Sequence, residues 1–569
     1  MEERVWDFIK QDQAKVQALM EEAGVTRPIA LVLAARGINE KDVNRFLNPS
    51  LHDISDPYSL PGTKQASERL WRAIQNNEKI IIHGDYDTDG ITASALLAWV
   101  LRTNGANVRC VLPHRIDDGY GLTADSIAKI SAQECDLLVT VDCGITSYDA
   151  ADAAEKIGLD LIITDHHTPG SEELHALAVV DPKRPGAPED IQDLAGVGVA
   201  FKVAHAFLKY GRENGLGGEE TDLRQCLDLV ALGTVADIVP LLHENRILVR
   251  HGLGVLGMQF RPGIHALCAI SGVGEELQTA DITYRLAPRI NATGRMGDPT
   301  DSLRLLEVDN VVDAAELAKV LDSQNRERQM IEEEVVKDAE DQIARRYNLE
   351  SARSIVVWSD GWHQGVVGIV ASRLTRRYHR PSVVLTRDPS GQFTGSARSI
   401  RTLNLVEVLD DCADVLVRFG GHAMAAGLSL EESKLEEFCQ KFDQAVQKVL
   451  DIESMKAMLN VCGEVTLREL DDVFFQEMQM LEPFGHGNPE PIFICRNVTS
   501  ERRNVAGKSH TRGIIKDETG ARMQFIAFSR MPDEFPPPPW DIVFSPHINR
   551  FNGVAVPQLR IHDVMTSKD

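Results

Sequence analysis

The stretch KIIIHGDYDTDG, residues 79–90, decides how the rest of the chain is read. Three isoleucines, Ile80, Ile81 and Ile82, run into His83, Asp85, Asp87 and Asp89. Four more apolar segments end in the same manner. LLVTVDCG stops on Asp142, LIITDHH on Asp165, His166 and His167, LAVVDP on Asp181, and VALGTVADIVP carries Asp237. Short β-branched runs bounded by such residues read as buried parallel strands. Helical patterns such as the one from Ile91 to Arg102 lie between them, which gives a β-α-β-α rhythm. In an open parallel sheet, ligands sit at the carboxyl ends of the strands. The acids and histidines are therefore expected to converge on one rim.

Three carboxylates at alternate positions repel one another unless a cation sits among them. A mixed Asp/His set without thiolate suits two Mn²⁺ or Mg²⁺ ions rather than a structural Zn²⁺. A calcium loop is excluded, because counting twelve from Asp85 reaches Leu96 where that loop needs Glu. Two ions about 3.5–4 Å apart activate water and stabilise both oxygens of an in-line displacement at phosphorus. One carboxylate among these acids can bridge the pair by offering an oxygen to each ion. The chemistry implied is that of a two-metal phosphoesterase.

At 569 residues the chain exceeds one core, and several domains are expected. Apolar residues make up 43% and charged residues 25%, as in ordinary globular proteins. No apolar run approaches the roughly 18 residues of a membrane span. The start, MEERVWDFIK, lacks the features of a signal peptide. Nine scattered cysteines without a CxxC pair fit a reducing cytoplasm. The net charge of −25 argues against a DNA-coating protein. It is compatible with an enzyme that lines one channel with Arg and Lys, because screening confines each charge to about 8–10 Å.

The division expected along the chain is a helical segment over 1–63, the α/β unit over 64–250 and a helical region over 251–347. A second α/β unit follows over 348–451, and a small barrel of the OB type over 452–569. The run from Asp309 to Tyr347 has neither Gly nor Pro and predicts one long, solvated connector helix. HAMAAG, from His422, reads as the start of a short helix.

DYDTDG, VDCG, DHH and ADIVP, in that order, resemble the motifs of the DHH phosphoesterase superfamily. GWHQGVVGIVASRL, GSARS and FGGHAMAAG resemble its DHHA1 substrate-binding domain. LAGVGVAFK, DLVALGTVADIVPL, PRINATGRM and LEPFGHGNPEPIF resemble the RecJ family of single-strand-specific 5′→3′ DNA exonucleases. The fold implied is α/β multidomain: a DHH parallel-sheet domain and a DHHA1 α/β domain joined by a long helix, plus a C-terminal OB-like β-barrel.

The resemblance implies a ligand set of Asp85, Asp87, Asp89, Asp142, His166, His167 and Asp237. His83, just before the G-D-x-D-x-D-G pattern, is added to it. Asp87, Asp142 and His167 are the catalytic candidates, with His167 as proton donor or phosphoryl contact. Asp165 and Asp181 stand between capping and ligation. Arg115, Ser396 and Arg398 match positions that hold a 5′ phosphate, although Arg115 could instead pair with Asp117 or Asp118. Arg289, Asn291, Arg295, Gly420, Gly421 and His422 are expected to face the substrate. In the barrel, His510, Arg512 and Gln558 are candidate strand contacts, and Phe528, Phe544 and Phe551 are candidate stacking platforms, with at least two of them expected in the core. GKSHTRG departs from the GxxHLK usual there.

The activity implied is removal of 5′ mononucleotides from single-stranded DNA in recombination and repair, with duplex excluded by a narrow cleft. The implied partners are single-stranded DNA, a single-strand-binding protein and a helicase, and no membrane. Two rivals are weighed. A DHH–DHHA1 phosphodiesterase of short oligoribonucleotides or cyclic dinucleotides would end soon after GGH, which this chain does not. A non-catalytic RecJ-like replication scaffold would lack the carboxylates, and here every one is present.

Overall fold

The five strands of the first sheet are all parallel, in the spatial order Asn107–Val111, Lys79–Gly84, Leu137–Val141, Asp160–Thr164, Ala178–Val180. The chain goes outward from Lys79–Gly84 to Asn107–Val111, then returns to pair Leu137–Val141 on the other side. The crevice between Lys79–Gly84 and Leu137–Val141 is thus the topological switch point, where such sheets bind ligands. The β-branched runs form these strands because both faces are covered, and Leu137–Val141 is buried throughout. We describe a computed structural model covering residues 4–114, 121–507, 509–551 and 554–567.

One expected strand is a helix. Residues 230–236, in VALGTVAD, belong to the helix Leu227–Ala236, and Asp237 caps its C-terminal end. Every residue from Leu227 to Val235 is buried. A helix apolar on all sides has no stripe for periodicity to detect, so it reads like a buried strand.

The chain divides into two compact units, one of residues 8–322 and 460–569, the other of residues 1–7 and 323–459. In the first unit, the helices Gln13–Ala23, Arg27–Ala35 and Glu40–Leu47 share a hydrophobic core with the C-terminal barrel. Val16, Leu19, Ile29 and Leu31 pack with Phe474, Phe493, Phe525 and Trp540. The buried Arg246 guanidinium fastens this region, donating to the carbonyls of Phe46, Met480 and Leu481 at 2.8–3.0 Å. The barrel closes five strands. Phe493–Ala506, His510–Lys516, Arg522–Ala527, Val554–Thr566 and Trp540–Phe551 pair in turn, and the last returns to the first.

The second unit holds a mixed sheet in the order Arg418–His422, Ala425–Leu430, Phe393–Arg398, Ser382–Arg387, Ile355–Ser359. HAMAAG is therefore the turn and return strand of a hairpin, not a helix. Gly421, at φ +149, lies so close to the Ala425 carbonyl that a Cβ would sit 2.4 Å from it. Small residues on both arms permit this approach, and pairing with Phe393–Arg398 overrides alanine's helical preference. The 36-residue helix Val311–Arg346 runs from one unit into the other. It is less solvated than expected: Ala318 and Leu321 enter the first unit's core, and Val336, Ala339 and Ile343 enter a core of the second.

Candidate metal centre

Asp85 follows the Lys79–Gly84 strand and Asp142 follows Leu137–Val141, so the switch point carries a carboxylate on each side. Asp142 takes φ +60, the left-handed region that Asp tolerates. Gly196 makes room for it, since a Cβ there would meet Asp142 Cβ and Oδ1 at 2.5 Å. Gly196 and Val197 open the helix Gly196–Asn214, and their N–H groups donate to Asp89 Oδ2 and Oδ1 at 2.7 and 2.8 Å. Asp87 caps the helix Thr88–Thr103, its Oδ1 accepting from the N–H of Asp89 and Gly90. One pair of helix N-termini thus fixes two of the acids.

At this rim, among the described residues, the potential ligand atoms fall into three overlapping groups, each within 4.8 Å: Asp85, Asp87 and Asp142; Asp142, His166 and His167; Asp89, His166 and Asp237. Asp142 belongs to two of them, as a bridging ligand must. His166 Nε2 lies 3.1 Å from Asp142 Oδ1 and 3.6 Å from Asp237 Oδ2. Both His166 Nε2 and Asp142 Oδ1 are buried with no hydrogen-bond partner. Buried polar atoms are ordinarily satisfied. Two adjacent orphans with lone pairs fit a cation.

Electrostatics point the same way. Burial, and then repulsion from its neighbouring aspartates, pushes Asp142 well above the ordinary carboxylate value. The same causes raise Asp89 to about 7 and Asp237 to about 9. Burial, and then charge on His167, lowers His166 to about 3 and leaves its ring neutral. A hydrogen bond to the Leu194 backbone orients that ring. Divalent cations reverse the cost of gathering these carboxylates, and the donor set suits Mn²⁺ or Mg²⁺.

Asp165 orients rather than joins these groups. Its Oδ1 accepts from His167 Nδ1 at 2.7 Å and from the His166 N–H, and its Oδ2 accepts from the Ile145 N–H. Burial opposes a charged His167, but the bond and charge of Asp165 outweigh it and raise the ring to about 9. Asp181 is buried and caps the Lys183 N–H. His83 is buried with its Nδ1 3.7 Å from Cys143 Sγ, and belongs to none of the three ligand groups.

The substrate candidates separate. Asn291 Oδ1 accepts from the Thr88 N–H and hydroxyl at 2.8 and 2.9 Å, so this side chain supports the Asp87 turn. Arg289 is ion-paired with Asp322 at 2.9 Å. Arg295 lies half-buried on the same helix, Ala287–Met296. Arg115 lies outside the described residues. In the second unit, Ser396 and Arg398 project from one face of their strand toward Gly368, in the helix Gln364–Tyr378. A Cβ on Gly368 would meet Arg398 Nη2 at 3.1 Å and Ser396 Oγ at 3.2 Å. Gly420, Gly421 and His422 lie on the hairpin strand, exposed. In the barrel, Phe544 and Gln558 are buried, whereas Phe528 is 51% exposed with its ring 5.1 Å from His510. The Phe551 side chain lies outside the described residues.

The sequence does not single out the amides of Gly196 and Val197, nor Asn291's hold on Thr88. Paired glycines ahead of an apolar helical run, in LAGVGVAFK, were the available signal.

The DHH family N-terminal domain model matches residues 79–234, the DHHA1 domain matches 352–448 and the RecJ OB domain matches 463–563. With the centre above, these define a hydrolase of the DHH phosphoesterase class. The chain is 37% identical over 577 residues to the single-stranded-DNA-specific exonuclease RecJ of Bacillus subtilis, covering 99% of this chain and 71% of that one. To the Escherichia coli RecJ it is 37% identical, covering 87% and 88%. The crystal structure of Thermus thermophilus RecJ in complex with Mn²⁺ matches with a TM-score of 0.84 at 28% identity, covering 99% of this chain and 80% of that one. The same protein in complex with Mg²⁺ matches with a TM-score of 0.79. The chain belongs to the RecJ family.

Proposed function

We propose that this protein is a divalent-metal-dependent exonuclease that removes 5′ mononucleotides from single-stranded DNA. The observation that carries the reading is the orphaned pair Asp142 Oδ1 and His166 Nε2, shared among three acid/imidazole groups at the switch point of a RecJ-family sheet. Asp85, Asp87, Asp89, Asp142, His166 and Asp237 would hold two Mn²⁺ or Mg²⁺ ions. Such ions polarise a phosphoryl group and make water nucleophilic at neutral pH.

The chain's own residues supply the rest. Asp165 keeps His167 protonated, so its ring can donate to a phosphoryl oxygen or to the departing 3′ oxygen. Asp89, gripped by two helix-terminal amides, keeps its carboxylate fixed. Ser396 and Arg398 present a hydroxyl and a guanidinium together, a combination suited to a terminal 5′ phosphate. Phe528 offers an exposed ring to a base.

All nine cysteines are free, which supports a cytoplasmic location. Among the described residues, no helix is long and apolar enough to cross a membrane. A helicase and a single-strand-binding protein are the partners this activity calls for, because it consumes unwound strands.

Purified protein with Mn²⁺ or Mg²⁺ and end-labelled single- and double-stranded DNA and RNA tests the reading. Mononucleotide release from the 5′ label of single-stranded DNA is expected. Release beginning at the 3′ label, or equal digestion of duplex, overturns it.

A further inference from the structure

Asn291 lies about two hundred positions from the aspartates in sequence, yet its carboxamide oxygen receives both donors of Thr88, the residue between Asp87 and Asp89. Thr88 is buried, and its N–H is among the first of the helix Thr88–Thr103, where no intrahelical acceptor exists. Three residues further along the same helix face, Gly294 packs against the other end of the turn. A Cβ there would approach the Tyr86 carbonyl to 3.0 Å. The helix Ala287–Met296 therefore grips residues 86 and 88, the two that alternate with Asp85, Asp87 and Asp89. It is itself anchored: Arg289 donates to Asp322 in the helix Val311–Arg346 and to the Arg285 carbonyl. Thr293 also meets the Ser302 hydroxyl at 2.9 Å.

We infer that Asn291 is a positioning residue for the metal centre: by holding Thr88 it sets the spacing of the Asp85 and Asp87 carboxylates, and so the affinity for divalent ions. The Asp85–Asp87–Asp89 turn is short and carries three like charges, so without an external hold these side chains would spread apart. The Asn291 oxygen supplies that hold without adding a charge. This inference rests on the two-ion reading above and deepens it by naming what keeps the ligands in register.

The test is Mn²⁺ binding to the full-length, metal-stripped protein, followed by calorimetry and by the electron-paramagnetic-resonance signal of free Mn²⁺. Outer partners of metal ligands are worth roughly 10–100-fold in affinity, so Asn291→Ala should weaken binding of at least one ion by about tenfold or more. The metal-free protein should also melt a few degrees lower, because two buried Thr88 donors lose their acceptor. Asn291→Asp adds a charge to the turn but keeps an oxygen that accepts both Thr88 donors, so it should bind Mn²⁺ more tightly than Asn291→Ala. If Asn291→Ala does not fold, Thr88→Val, which removes only the hydroxyl donor, should give a smaller loss in the same direction. Wild-type affinity in the alanine variant, or in Thr88→Val when that variant stands in for it, overturns the inference. So does an aspartate variant as weak as the alanine one. Failure of the wild type itself to bind Mn²⁺ overturns the two-ion reading instead, and this inference with it.

Discussion

The Asp165 carboxylate and the His167 imidazole form a 2.7 Å hydrogen bond, with the same Asp165 oxygen also receiving the His166 amide. One carboxylate thereby sets both the orientation and the charge of the His167 ring. Asp165→Asn should let the His167 pKa fall from about 9 toward the ordinary histidine value. At pH 8 only about one ring in thirty would then keep its proton, and turnover should drop by roughly 30-fold if His167 is the proton donor. Lowering the pH to 6 should recover part of it. A pH–rate profile of both proteins on single-stranded DNA checks this; parallel profiles would remove His167 from the donor role.

Stability without metal should run against the usual carboxylate trend. Asp89 and Asp237 have folded pKa values of about 7 and about 9, raised chiefly by burial, whereas in the unfolded chain both ionise near the ordinary value. The folded state therefore binds more protons than the unfolded state, and stability falls as pH rises from about 4 toward 9. Added Mn²⁺ should cancel that slope and release protons on binding. Denaturant titrations at pH 6 and 9, with and without Mn²⁺, measure it. A metal-free protein equally stable at both pH values would contradict it.

Gly196→Ala puts a methyl group 2.5 Å from Asp142 Oδ1. Backbone must move to relieve it, which costs about 1–3 kcal/mol. The shift also drags the amides that hold Asp89. Mn²⁺ affinity and hydrolysis should fall together, whereas Gly254→Ala, where nothing lies within 4 Å, serves as the neutral control.

Arg398→Ala should slow digestion of 5′-phosphorylated strands by roughly tenfold or more, since a charge-assisted contact is worth about 1.5–3 kcal/mol. Strands with a 5′ hydroxyl should be affected much less. Equal loss on both substrates would assign Arg398 to packing at Gly368.

The acids at strand ends were legible because β-branched runs before Asp85, Asp142 and Asp165 admit one reading, a covered parallel strand. Asp237 stands out by its motif yet sits on another kind of element than its motif suggests, since uniform burial erases periodicity. Asn291, in PRINATGRM, reads as a substrate contact. That its oxygen belongs to Thr88 is a tertiary fact, without any local pattern. His83 shows the converse: adjacency in sequence to the aspartates did not bring its ring into their groups. The barrel strands announced themselves by alternation, but alternation could not tell the buried Phe544 from the exposed Phe528.

The core that joins Val16, Leu19 and Ile29 to Phe493, Phe525 and Trp540 also governs how the molecule can be made. A ribosome adding about 5–20 residues per second leaves the first helices waiting on the order of tens of seconds for their packing partners. Through that interval their apolar stripe has no covering, and it invites chaperones or premature association. The barrel is consequently no detachable accessory. A product ending at Asp451 would strand the opening helices in the same unfinished condition for good, and any loss of DNA binding it showed would be inseparable from misassembly.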